Sequence, residues 1–212
     1  MLIRKKLWAL ALLAVVFSLV SIQFWDQALA LWLEEIQIER FYRIYRTLTD
    51  AGEAIYYFLF AILGLGGSWV ALRFFPASTA PVRPQLSFLK ERSLFLFVSL
   101  LSSGIVLHFF KFLFGRQRPH VSEDFQSDVF VPFNTHWHYH SMPSGHSQTL
   151  LTVATVLWVI YPKSGWIVFP TALFLAFTRL AMEAHFLSDV IMGSYIGFAV
   201  TVLVALRRKL LS

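Results

Sequence analysis

The chain contains no cysteine, which excludes a disulfide framework and any thiolate metal site. Charge is scarce as well. Only 14% of the 212 residues are Asp, Glu, Lys or Arg, where a soluble domain carries nearer a quarter. No internal repeat and no low-complexity tract is present, so solenoids and disordered tails are excluded. What the chain has instead is apolar residues, 57% of the total, with a mean hydropathy of +0.63. A helix that crosses a bilayer needs roughly 20 such residues. The sequence predicts an all-α polytopic membrane bundle in a single domain, 1–212. Six spans are expected: Leu7–Phe24, Ala54–Phe75, Ser93–Phe114, His146–Tyr161, Gly165–Met182 and Leu187–Leu206. The fourth is short and the fifth contains Pro170, so both need neighbours to pack against.

The net charge of +6 does not read as a nucleic-acid surface, because of where the charges fall. With the N-terminus in the cytoplasm, eleven of eighteen basic residues and one acid (Glu91) lie inside, and seven basic and eleven acidic residues lie outside. This satisfies the positive-inside rule; the reverse orientation contradicts it at every loop. Both termini are then cytoplasmic. Arg4-Lys5-Lys6, an apolar run and Ala28-Leu29-Ala30 also resemble a cleavable secretory signal. The run is longer than a usual signal core, and Trp25, Asp26 and Gln27 separate it from the small residues, so retention as a first span is expected. Leu31–Asp50 mixes Glu34, Glu35, Glu39, Arg40, Arg43 and Arg46 with apolar residues at helical spacing. It is expected to be an amphipathic helix, on the outer interface or on the rim of the bundle. Pro76–Pro84 reads as a turn-rich cytoplasmic linker.

Three segments carry chemistry, and the topology puts all three at one end of the bundle. Lys111 ends the third span, and Arg118 follows seven residues later; Pro119 turns the chain away from helix there. Alone, these two cations read as interfacial snorkelling. Pro143-Ser144-Gly145-His146 precedes the fourth span. Ser144 is a candidate N-cap, Gly145 allows close backbone approach, and the helix N-terminus favours an anion. Arg179 ends the fifth span, and His185 and Asp189 are four apart, on one face if helical. Asp189 is placed to accept from His185 Nδ1, leaving Nε2 as a nucleophile; the alternative is a structural hydrogen bond. Charges at membrane depth are costly and mark function. Three cations, a helix N-terminus, two histidines and a carboxylate together suit a phosphate site.

In that order, Lys-x6-Arg-Pro, Pro-Ser-Gly-His and (Ser/Thr)-Arg-x5-His-x3-Asp resemble the signature of the type 2 phosphatidic acid phosphatase family. Thr178 stands where that family usually has serine. The resemblance implies that Lys111, Arg118 and Arg179 hold phosphate oxygens, with Ser144 and the Gly145 N–H adding hydrogen bonds. It implies that His185 attacks phosphorus, His146 protonates the leaving alkoxide and Asp189 orients His185. It further implies a bacterial-type inner-membrane enzyme that uses no metal or cofactor and acts on a lipid phosphate facing the periplasm or exterior. Neighbouring cations favour a neutral His185, and Asp189 opposes them. Phosphotransfer, a soluble phosphoester substrate or non-enzymatic lipid binding are the alternatives. The His136-Trp137-His138-Tyr139-His140 tract is expected to line the headgroup pocket within a 115–141 loop that sets headgroup choice, rather than to hold zinc. His108 is expected to support or pack, His120 is ambiguous, and Glu183 either tunes the site or faces water.

Overall fold

The structure is a computed structural model that describes residues 2–36, 39–74, 81–122 and 124–211. Among these the chain is helical, with no strand beyond one isolated bridge, Arg116 to Phe130. Eight α-helices follow in order: α1 (Leu2–Phe24), α2 (Asp26–Glu35), α3 (Glu39–Thr49), α4 (Ala54–Phe74), α5 (Arg83–Phe114), α6 (Gly145–Ile160), α7 (Gly165–Ala181) and α8 (Leu187–Arg207). Five helical segments are long and apolar enough to cross a membrane. They correspond to the first, second, third, fifth and sixth expected spans. The fourth, α6, has 16 residues, about 24 Å of helix, against a hydrocarbon core of about 30 Å. It is the most enclosed element, packed by α5, α7 and α8.

The bundle differs from a soluble one in its surface, where many large apolar side chains face outward: Trp8, Leu63, Trp166 and Ile167 are all well exposed. Its interior holds fully buried hydroxyls, among them Ser99, Ser103, Thr152, Thr155 and Thr201. Water does not drive helices together inside a bilayer, so small residues and hydrogen bonds must. The Gln148 amide donates to Ser103 Oγ at 2.6 Å and to Thr152 Oγ1 at 3.2 Å, tying α6 to α5. Gly193 and Gly197, one turn apart on α8, let α6 approach closely. A Cβ at Gly193 would meet Ser144 O at 2.2 Å, and one at Gly197 would meet Gln148 O at 2.3 Å.

α1 packs along α8, and Tyr195 donates to the Leu7 carbonyl at 3.0 Å. The chain through Ala28-Leu29-Ala30 is helical within α2. α5 starts at Arg83, ten residues before the expected span, because Pro84 suits a first helical turn and no breaker follows it. The expected linker Pro76–Pro84 falls partly outside the described residues, and its end already belongs to α5. The expected single helix over Leu31–Asp50 is instead two helices, α2 and α3, with residues 37 and 38 outside the described part. α2 starts earlier than expected and buries Leu33 against α6, α7 and α8; α3 packs on α7. Both therefore sit on the rim of the bundle.

Candidate active site

Each motif reaches the same end of the bundle by a local device. α5 stops at Gly115, whose φ of 57° is left-handed and whose N–H donates to Lys111 O at 3.0 Å. That conformation favours glycine, and a Cβ there would strike Val131 O at 1.7 Å. The chain then runs extended through Arg118, with Pro119 opening a short turn. The 115–141 loop folds back on itself: Gln117 N donates to Val129 O at 3.0 Å and Val131 N to Gly115 O at 2.8 Å. Ser144 caps α6, its Oγ accepting from Ser147 N at 3.4 Å and Ser147 Oγ at 2.9 Å. Both bonds use Ser144 Oγ as acceptor, so its O–H proton remains to donate. Ser144 N in turn donates to Asp189 O at 2.9 Å, which fixes α6 against α8. The α7–α8 turn is short, with Glu183 in a left-handed conformation at φ 52°.

Among the catalytic candidates, His185 is the best defined. It is 3% exposed. Arg118 Nη1 lies 3.4 Å from its Nε2 and also donates to Ala184 O at 3.0 Å. On the other side, Asp189 Oδ2 lies 3.6 Å from Nδ1, longer than the ordinary bond of about 2.9 Å. Ser141 Oγ sits between them, 3.5 Å from Nδ1 and donating to Asp189 Oδ2 at 2.5 Å. Asp189 thus lies beside His185, with Ser141 as an intermediary absent from the sequence analysis. Burial pushes His185 well below the ordinary histidine value. Arg118 and Lys111 add to this, and Asp189 opposes it. The net effect favours the neutral ring, the form that a nucleophile would need.

Lys111 is buried, and its Nζ donates to His140 O at 2.5 Å and Ser141 O at 3.4 Å. Arg118 reaches Trp137 O at 3.2 Å and His140 O at 3.3 Å, with its guanidinium over the Trp137 ring. Arg179 Nη1 donates to Thr49 Oγ1 at 2.7 Å, and among the described residues its buried Nε–H has no partner. His146 Nε2 lies 3.2 Å from Glu53 Oε1, with Gly52 packed on its ring. Lys111, Arg118 and Arg179 all act electrostatically on His146. The structure thus gathers the three cations, both histidines and the α6 N-terminus, and closes one side with the segment from Thr49 to Glu53. Thr178 turns its hydroxyl back to Leu175 O at 2.6 Å, within its own helix.

The histidine tract contributes mainly through its backbone: the carbonyls of Trp137 and His140 hold the cations, and that of His138 accepts the Arg118 N–H. Among the described residues, no three His, Cys, Asp or Glu are placed to hold a metal ion. His120 and the Glu183 carbonyl lie 3.1 Å apart, and His108 is on the exposed side of α5. The sequence reading missed Ser141, Thr49, Glu53 and, above all, Arg116 and Asp26. Arg116 is fully buried and forms ion pairs with Asp26 at 2.7 Å and Asp189 at 2.6 Å.

Fold and site together define a helical integral membrane protein with a cation-rich, histidine-containing site at one end of its bundle. The chain belongs to the PAP2 superfamily, whose sequence model matches residues 92–210. It is 31% identical over 119 residues to a lipid A 1-phosphatase of Rhizobium etli, covering 56% of this chain and 51% of the relative. It is 30% identical over 128 residues to a lipid A 1-phosphatase of Rhizobium johnstonii, covering 60% and 52%. The match thus spans about half the length of these curated relatives. Two solved structures share the fold. One is a transmembrane PAP2-type phosphatidylglycerolphosphate phosphatase of Bacillus subtilis, with TM-score 0.60, 16% identity and 98% of each chain covered. The other is LpxE of Aquifex aeolicus, with TM-score 0.57, 18% identity, and 84% of this chain and 93% of that one covered.

Proposed function

We propose that this protein is a lipid phosphatase that needs no metal and works through a phosphohistidine. The whole chain is one phosphatase domain with six spans, α6 being the short one. Its termini lie in the cytoplasm of a bacterial-type cell, and its site opens at the outer face of the inner membrane. The observation that carries the reading is the environment of His185: a buried neutral imidazole between Asp189 and Arg118. Lys111, Arg118, Arg179, Ser144 and the Gly145 N–H hold the phosphate oxygens. His185 Nε2 then attacks phosphorus in line as the P–O bond to the lipid breaks. His146 gives a proton to the leaving oxygen. Water attacks the phosphohistidine with His146 as base, releasing inorganic phosphate and freeing His185. Phosphoryl transfer needs positioning and charge stabilisation above all, and three fixed cations supply both.

The substrate is a lipid phosphate or pyrophosphate. The relatives' names put lipid A first among the candidates, beside phosphatidylglycerophosphate, phosphatidic acid and undecaprenyl pyrophosphate. A groove of about 580 Å³ between α1, α7 and α8 supports a lipid. Its walls are almost wholly apolar, and Leu180 and Leu187 line both it and a small cavity beside His185. The test is phosphate release in EDTA by the detergent-purified protein and by His185→Ala, across those lipids. Release by the parent alone is expected. Activity that requires added Mg²⁺, or a variant as active as the parent, would refute the mechanism.

A further inference from the structure

Arg116 lies between the two cations of the first motif, yet it engages a different set of groups. Its Nη1 donates to Asp189 Oδ1 at 2.6 Å and Ser188 Oγ at 2.5 Å, and its Nη2 to Asp26 Oδ2 at 2.7 Å. Nε and Nη2 both reach Ser127 O, at 3.0 and 2.6 Å. The guanidinium lies over the Phe186 ring, 4.4 Å from its centroid. Asp26 begins α2, outside the region that the family model matches. It accepts from Ser21 Oγ at 2.6 Å and Ser188 N at 3.0 Å, and from Ser188 Oγ. Arg116, Asp26 and Asp189 are all fully buried.

We propose that Arg116 and Asp26 are positioning residues for phosphoryl transfer. Asp26 fixes the Arg116 guanidinium, Arg116 pins Asp189 by Oδ1, and together with the Phe186 N–H, which donates to Oδ2 at 2.9 Å, this aims Oδ2 at Ser141 and His185. A carboxylate held on one oxygen alone turns about its last torsion; held on both, it does not. The charges are also matched to the chemistry. A guanidinium shared with Asp189 alone would make a neutral pair and weaken the field at His185. Shared between two carboxylates, it leaves the cluster one negative charge in excess. Phosphorylated on Nε2 and protonated on Nδ1, His185 becomes cationic, and that excess charge is beside it. α2, which Asp26 begins, then supports the catalytic apparatus.

This inference rests on the phosphatase reading, and its test separates the two. Single-turnover phosphorylation of His185 is followed with labelled lipid phosphate in the parent, Asp26→Asn, Asp189→Asn and the double variant. Rates are expressed per folded molecule, with KM measured alongside. Asp26→Asn is expected to slow phosphorylation about 10- to 100-fold, the usual scale for groups that orient a ligating or reacting residue, with KM within about two-fold. In the Asp189→Asn background it should add less than about two-fold, since both act through one carboxylate. Full speed in Asp26→Asn, or a multiplicative loss in the double variant, would overturn the proposal. Should Asp26→Asn not accumulate as folded protein, Arg116→Lys keeps the charge, loses the fork and is read by the same criteria. A parent that forms no phosphoenzyme would instead sink the phosphatase reading.

Discussion

Gly193 offers a perturbation whose size can be worked from the structure. Alanine there would place its Cβ 2.2 Å from Ser144 O and 3.1 Å from Ser144 N. A carbon and a carbonyl oxygen normally stay about 3.3 Å apart, so α6 and α8 must part by about 1 Å at this point. The overpacking should destabilise the fold by about 1–3 kcal/mol. The larger effect should fall on catalysis. Ser144 caps the helix that carries His146, and its N–H binds the Asp189 carbonyl. A displacement of about 1 Å at reacting groups is expected to lower kcat about 100-fold. Gly197→Ala makes an equivalent clash, 2.3 Å from Gln148 O, but one turn farther from the site. It should cost similar stability and much less activity. Gly66→Ala, with nothing within 4 Å of its Cβ, should be neutral or stabilise by up to about 1 kcal/mol. Thermal unfolding and phosphate release per folded molecule measure both effects. Equal losses of activity in the Gly193 and Gly197 variants would refute the argument.

Two further outcomes follow from the site. Burial holds His185 below its unfolded-state value near 6.5, so the unfolded chain takes up the proton first as pH falls. Stability that is present at neutral pH is therefore lost below about pH 6.5, by up to about 1.4 kcal/mol per pH unit. The thermal midpoint of His185→Gln should fall less between pH 7 and 5.5 than that of the parent, and equal falls would contradict the assignment. Arg179→Lys keeps the charge but removes the Nε–H, which has no partner among the described residues. It should lower kcat/KM about 10- to 100-fold, the scale of a charge-assisted hydrogen bond; an unchanged value would show that Nε does not meet the phosphate.

The helices are legible because uninterrupted apolar runs leave few alternatives, and the start of α6 because Ser144 has a local effect. The boundary of α5 was read ten residues late because charged Lys90-Glu91-Arg92 looks like a membrane edge, although a helix continues through it readily. Leu31–Asp50 was read as one helix because periodicity does not show that Leu33 turns inward while α3 follows α7. Nothing in the sequence singles out Arg116 between Lys111 and Arg118, and Asp26 reads as a spacer before the small residues. Their pairing joins positions ninety residues apart, which no local pattern in one sequence contains. The same holds for Thr49 and Glu53, which belong to the site only because α3 and α4 fold over it.

The partners of the cations separate Lys111, Arg118 and Arg179 from Arg116. Lys111 is held by the carbonyls of His140 and Ser141, Arg118 by those of Ala184, Trp137 and His140, and Arg179 by the Thr49 hydroxyl. These acceptors are neutral. They fix each side chain in place without a carboxylate to cancel its charge. Arg116 is the contrary case, neutralised by two carboxylates in contact with it. A phosphate at Arg116 would have to compete with Asp26 and Asp189 for the same donors; at the other three it meets cations whose charge no hydrogen-bonded carboxylate has cancelled. Position in the motif does not make that distinction, since Arg116 and Arg118 are two residues apart and chemically identical. The acceptors each one meets in the fold do.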